Sequence, residues 1–194
     1  MPKNSFSISE TGRRNLRIAW VVFLLPCIVL YVWYAPILTK ENIATFVSRY
    51  NGYVLAVYFV VCVLRGLTLV PATPFLLAGI YLFQHTPLLL FIVFLSSIFI
   101  VSAFLFYASG YLGFCGYFEK LYPNKTGSIK QKLNSPLGWW FVLLWSFTPF
   151  TPTDLVCYAA GSLRMRFIQF IVPLMIGEGL ICALYIFNGA ALLR

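Results

Sequence analysis

Between Gly66 and Phe118 the chain runs for 53 residues without a formal charge, with His85 as the one titratable interruption. A helix needs about 20 apolar residues to cross the hydrocarbon core of a bilayer, so this run enters or crosses it more than once. Uncharged runs also extend from Ile18 to Leu38 and from Leu133 to Thr153, and from Phe167 to Leu193 the single charge is Glu178. The pattern predicts an all-α integral membrane protein. Its expected parts are a tail at residues 1–17, a first transmembrane helix at 18–38 and a membrane domain over 50–187.

Proline subdivides that domain. Apolar residues resume at Gly52, meet Arg65, and then reach Pro71 and Pro74. A straight helix through this Pro-x-x-Pro pair would leave backbone groups unbonded in hydrocarbon, so the chain is expected to turn back. The result is a re-entrant hairpin over 52–83, whose short second limb carries Ala78 and Gly79 for close helix approach. Pro87 opens a transmembrane helix over 87–113, with Ser96, Ser97, Ser102, Ser109 and Gly110 as small interface positions. A Lys-rich cytoplasmic loop is expected over 114–135. Pro149 and Pro152 then repeat the first pattern in a second re-entrant hairpin over 137–163, leading to Ala159, Ala160 and Gly161, and a last transmembrane helix occupies 167–193. Hairpin plus helix therefore occurs twice. A hairpin returns to its own side and each long helix crosses once, so the second unit is inverted relative to the first.

Composition narrows the class further. Of 194 residues 61% are apolar and 10% charged, against about 25% charged in soluble domains. With 14 Lys and Arg and 5 acids, the chain could not cover a soluble surface. Disorder and a disulfide-stapled secreted fold are excluded by the same figures. The net charge of +9 sits in short segments flanking apolar runs, which suits orientation and anionic head groups rather than nucleic acid. With the N-terminus cytoplasmic, ten bases fall inside and Lys40, Arg49 and Arg194 fall outside, in accord with the positive-inside rule. Arg65 is left within the membrane. The run from Ile18 to Leu38 is longer than the roughly 7–15 residues of a signal core and no small-x-small cleavage site follows, so it reads as a retained helix. Five cysteines, Cys27, Cys62, Cys115, Cys157 and Cys182, show no close pairing and read as small buried hydrophobes.

Charges inside a bilayer need a partner or water, and three qualify: Arg65, Asp154 and Glu178. If the two hairpin tips meet near the midplane, Arg65 and Asp154 approach from opposite faces. One reading is a structural ion pair holding the tips together. The other has Arg65 binding an anionic group while Asp154 or Glu178 takes up a proton as access alternates. Glu178 stands between Gly177 and Gly179, which leave room for water or a partner backbone; alternatively it is a neutral acid hydrogen-bonded to a neighbouring helix. Arg164 and Arg166 follow the second hairpin at the boundary, as orientation anchors or as a phosphate clamp. Thr153 and Tyr158 stand where they can bond a head group or the broken backbone. His85 has no second histidine, CxxC or carboxylate pair beside it, so no metal or cofactor is implied. Membrane enzyme chemistry is disfavoured, because it would want several clustered acids or histidines.

The stretches Arg65-Gly-Leu-Thr-Leu-Val-Pro71-Ala-Thr-Pro74-Phe-Leu-Leu-Ala-Gly79 and Thr148-Pro149-Phe-Thr-Pro152-Thr-Asp154-Leu-Val-Cys-Tyr158-Ala-Ala-Gly161 resemble the DedA and VTT-domain family, also called the SNARE-associated Golgi protein family. The resemblance covers about Tyr50 to Phe187. It implies two facing re-entrant hairpins in an inverted repeat and a role in moving lipids across bilayers, as a phospholipid scramblase or as a flippase for phosphatidylethanolamine or undecaprenyl phosphate. The Glu or Arg that the family places before the first tip maps onto Arg65. Where many relatives carry Arg before the second tip this chain has Ser146, and the first tip lacks the acid that bacterial members often place there. Acid chemistry therefore falls to Asp154 and Glu178 alone, which weakens a proton-coupled flippase more than a scramblase.

The expected function is a lipid transporter in a bacterial plasma membrane, its path formed by Arg65, Pro71, Pro74, Pro149, Pro152, Asp154, Tyr158 and Glu178, with membrane lipids as partners. Homo-oligomer formation and proton coupling stay open. The alternatives are a proton-linked ion or solute transporter on the same scaffold, and a non-transporting membrane assembly factor.

Overall fold

The computed structural model describes residues 10–34, 36–50, 52–68, 70–112, 131–148 and 153–192. Eight helices are given for them: α1 (Glu10–Tyr34), α2 (Lys40–Ser48), α3 (Val54–Leu67), α4 (Thr73–Leu82), α5 (Pro87–Leu112), α6 (Pro136–Ser146), α7 (Thr153–Ser162) and α8 (Phe167–Leu192). No strand occurs among the described residues. Two of these helices, α5 and α8, are long and apolar enough to cross a membrane. Most of the expected 114–135 loop, with Lys120, Lys125, Lys130 and Cys115, lies outside the described residues, as do Pro149 and Pro152 of the second break.

Helix α1 differs in extent from the expected 18–38. It takes in residues 10–17 of the expected tail, because arginine extends a helix about as well as leucine does. It stops at Tyr34, where Ile37 and Leu38 both bond the Tyr34 carbonyl in a turn that contains Pro36. Thr39 then caps α2 by accepting a hydrogen bond from the Asn42 N–H at 3.3 Å. Ile43, Ala44 and Val47 bury one face of α2 against α4. Glu41, in the first turn of α2, is solvated, and its bond to a backbone N–H at the helix start holds its carboxyl below the ordinary value.

The break between α3 and α4 is organised on Arg65. Its carbonyl accepts the Thr68 N–H at 3.1 Å, the Val70 N–H at 3.3 Å and the Thr68 hydroxyl at 2.8 Å. These bonds satisfy the carbonyl end of α3 without an added residue. Pro74 stands in the first turn of α4, where a missing N–H costs nothing, and Pro71 lies exposed in the break itself. The buried Tyr58 hydroxyl donates to the Phe75 carbonyl at 3.0 Å and ties the two limbs together. Gly79 lets this happen, since a Cβ there would run into the Tyr58 ring and its oxygen.

The packing follows a crossed pattern. The longer limb of each pair lies on the long helix that follows in its own half, α3 on α5 and α6 on α8; the shorter limb lies on the long helix of the other half, α4 on α8 and α7 on α5. Helices α5 and α8 also pack on each other, with Phe106 stacked on Phe170 at a centroid distance of 4.9 Å and Phe167 edge-on to Phe106 at 5.4 Å. Of the small α5 positions, Ser97, Ser102 and Ser109 are buried as interface residues, whereas Ser96 faces outward and bonds its hydroxyl to the Ile92 carbonyl at 2.7 Å. Helix phase decides this, and a helix that is apolar all round does not display its phase in sequence.

Candidate functional site

Three helices bring the buried charges to one place: the last turn of α3 carries Arg65, the first turn of α7 carries Asp154, and the middle of α8 carries Glu178. Each is 8% exposed. The guanidinium acts electrostatically on both acids, and Asp154 on Glu178, so the three form one cluster.

The cluster is not a closed ion pair. Among the described residues the side-chain ion pair within 4.0 Å is Lys40 with Glu41; neither Asp154 nor Glu178 comes that near Arg65. The Arg65 Nη1 reaches the Val70 carbonyl at 3.5 Å, its Nε is buried with no hydrogen-bond partner, and its Cζ lies 5.8 Å from the Phe94 ring centre. A buried guanidinium ordinarily makes short, paired bonds to a carboxylate, so this one is under-satisfied. The direct Arg65–Asp154 pair, one of the readings from sequence, is not closed to within 4.0 Å, and the guanidinium lies toward its own loop carbonyl.

Glu178 takes the hydrogen-bonded course. The Thr153 hydroxyl donates to its Oε1 and joins the start of α7 to the middle of α8. Gly177 accommodates a partner backbone, since a Cβ there would lie 2.8 Å from the Leu143 carbonyl oxygen and 3.1 Å from the Phe147 nitrogen of α6's end. Gly179 has only Leu95 nearby, at 3.9 Å.

The remaining candidates divide. Pro71 lies in the break that follows Arg65 and Pro74 in the first turn of α4, whereas Pro149 and Pro152 lie outside the described residues. Tyr158 is half-buried on α7, and its hydroxyl accepts the Trp20 indole N–H of α1 at 2.9 Å. Arg164 and Arg166 are exposed beyond the far end of α7, ten and twelve residues after Asp154, which stands in its first turn. The structure does not bring them to the cluster. Arg164 has a φ of 55°, the left-handed position that glycine usually takes when a helix stops. The Arg164 N–H bonds Gly161 O at 3.1 Å and the Met165 N–H bonds Ala160 O at 2.9 Å, the paired bonds of a Schellman terminus. A non-glycine residue held there costs about 1 kcal/mol.

Sequence reasoning missed five residues around the candidate site. Cys62, Cys157 and Cys182 are buried free thiols that share the field of the charged cluster, and their spacing in the chain gives no sign of it. Phe94 beneath the guanidinium and Trp20 against Tyr158 are the other two, each a single aromatic among many. No group of three or more His, Cys, Asp or Glu positioned for a metal is found among the described residues.

Comparison with curated proteins and with solved structures returns no match. The family model of the VTT domain does match, over residues 70–191, from the break after α3 to the last turn of α8. That span is more than half of the chain and includes both acids of the cluster, so the protein belongs to the VTT-domain family of membrane proteins, linked to membrane transport and lipid-related roles.

Proposed function

We propose that the protein moves a phosphate-bearing lipid head group across the bilayer, as a scramblase or flippase. In this reading α3–α4 and α6–α7 are re-entrant hairpins that face each other from opposite leaflets, the two hairpin-plus-helix halves are inverted copies, and α1 is a third crossing. The crossed packing of short limbs on the other half's long helix supports that arrangement, because it is what an exchange of equivalent halves produces. The N-terminus is cytoplasmic and the membrane is a bacterial plasma membrane. No chemical transformation is proposed.

One observation carries the reading. A guanidinium is buried where the two halves meet, beside two acids it does not touch, with bonding capacity that the protein leaves unused. A phosphate offers oxygens spaced for that fork. The nearby acids keep the site from holding the anion tightly, which transport requires; binding must be weak enough to release. Thr153 and Asp154 stand at the start of α7, and the Arg65 guanidinium lies over the Phe94 ring at 5.8 Å from its centre.

Purified protein in vesicles is expected to move labelled phospholipid between leaflets, with rates compared for several head groups, with and without a pH gradient. Arg65→Ala is expected to lower the rate at least tenfold with the protein still folded, and Asp154→Asn to change its pH dependence. Unchanged rates in both variants would take these residues out of the mechanism. Proton or ion flux with labelled lipid stationary would instead favour the ion-transporting alternative.

A further inference from the structure

The two seams between a short limb and the other half's long helix are not alike. At α5/α7 the helices meet backbone to backbone, whereas α4 and α8 part to leave a groove of about 570 Å³. Leu77 and Ile80 of α4 form one wall, Ile181 and Leu184 of α8 the other, and Lys40 and Asn188 stand among the lining as its polar groups. Tyr81 and Leu184 are widely exposed, so the groove opens sideways to whatever surrounds the helices.

We propose that this groove seats one acyl chain of an anionic glycerophospholipid, with its phosphate against Lys40. The proposal rests on the lipid-transport reading and adds to it a loading site. In hydrocarbon the medium itself is acyl chain, so an apolar groove open to the side is filled by lipid unless protein covers it. Its volume lies within the ~300–1,000 Å³ usual for a ligand cleft. Selection then falls to the polar end. Lys40 is the one charged residue of the lining, its side chain is 56% exposed, and its pairing with Glu41 at 3.7 Å is a loose surface contact that leaves the ammonium available to an anion. It is also the first residue of α2, where the helix dipole adds positive potential. The position of the groove suits loading: Ile181 lies one turn beyond Glu178 on α8, so a seated chain ends beside the charged cluster.

The test uses the full chain in phosphatidylcholine vesicles containing a few per cent of phosphatidylglycerol with a photoreactive group midway along one acyl chain. After irradiation and digestion, label is expected on peptides carrying Leu77–Tyr81 and Ile181–Tyr185. The same photoreactive chain on phosphatidylcholine is expected to label them about fivefold less, the worth of one lysine near a membrane surface. Lys40→Glu should abolish or reverse the preference for the anionic probe, and Lys40→Arg should keep it; Lys40 is solvated, so both variants fold. Equal labelling by the two probes in the native chain, no response to Lys40→Glu, or cross-links from these peptides to a second copy of the chain would each overturn the proposal. Arg65→Ala separates it from the transport reading, because it should stop translocation and leave groove labelling intact. Selective labelling in a protein that moves no lipid would leave the docking site standing and remove the transport reading. Translocation with unselective labelling would do the reverse.

Discussion

The α5/α7 and α4/α8 seams are built from corresponding parts of the two halves, yet one is sealed and the other is parted. At the sealed seam Gly161 of α7 lies directly on the Phe106 carbonyl and the Ser109 hydroxyl, and a Cβ on Gly110 of α5 would lie 3.2 Å from the Gly161 carbonyl oxygen. Helix α1 adds a cover, since Trp20 reaches both Tyr158 of α7, through a hydrogen bond, and the Phe104 ring of α5 at 6.2 Å. At the parted seam the corresponding glycine, Gly189 of α8, faces the Ile80 side chain, whose Cδ1 and Cγ2 would lie 3.2 Å from a Cβ placed there. Helix α2 covers α4 but leaves the groove beside it open. If the two halves are an inverted pair, as proposed, unequal closure of equivalent seams is what alternating access would require. On the proposed reading, the sealed seam is the structural one and the parted seam is where a ligand would enter.

The largest expected effect lies at the sealed seam. Gly161→Leu places side-chain atoms into a backbone carbonyl and a buried hydroxyl that cannot both yield, and it should destabilise the fold by about 3 kcal/mol, the upper end of the cost of overpacking. The unfolding midpoint in mixed micelles measures this. A loss no greater than that from a change at Gly189 would mean that the two seams are equally adaptable, and the contrast between them would fail.

How much of this was legible beforehand depends on what each residue signals. Pro71 and Pro74 mark the first break because they cannot continue a helix, and Pro87 marks a helix start because a missing N–H costs nothing there. Uncharged length sets the helical, membrane-embedded character, and the rarity of charge singles out Arg65, Asp154 and Glu178 for the site. The seams were not legible. Helices α5 and α8 are apolar on every side, so their sequences hold almost no record of which face meets which neighbour. Ser96 and Ser97 look alike in the chain and point in different directions in the fold. The separation of Arg65 from Asp154 was hidden too, because nothing in the chain's spelling shows that the Arg65 guanidinium lies toward the Val70 carbonyl.

The next effect concerns the link from the sealed limb α7 to the helix that borders the groove. Thr153→Val removes the hydroxyl that donates to Glu178 and leaves a buried carboxyl short of a partner, at a cost of about 2 kcal/mol. Adding Glu178→Leu should recover most of that cost, because replacing both members of a buried polar pair is close to neutral. A double-mutant cycle on unfolding midpoints isolates the coupling. If the two changes add with no coupling, the hydrogen bond does not hold α7 to α8. Trp20→Phe comes next, at about 1 kcal/mol for the lost bond to Tyr158. It should also quicken proteolysis in the α1–α2 turn, because α1 keeps few other contacts with α7. Unaltered cleavage would mean that α1 is held by its flanking residues and does not guard the sealed seam.

Gly189→Ala is the smallest change and the sharpest on the comparison. Its Cβ would meet Ile80 atoms at 3.2 Å, tighter than ordinary contact, but Ile80 borders the groove and is expected to shift toward it. The helix gains from replacing glycine by alanine, about 0.8–1.0 kcal/mol in an open interior, and the displaced isoleucine subtracts a part of that. The net should therefore be a stabilisation of about 0.5 kcal/mol, opposite in sign to the change at Gly161, with lipid labelling of the groove reduced because Ile80 now occupies part of it. The two readouts move together only if the groove has room to give. A destabilised variant with unaltered labelling would place Ile80 against a wall that does not yield, and the seam would then be closed in the same sense as its counterpart.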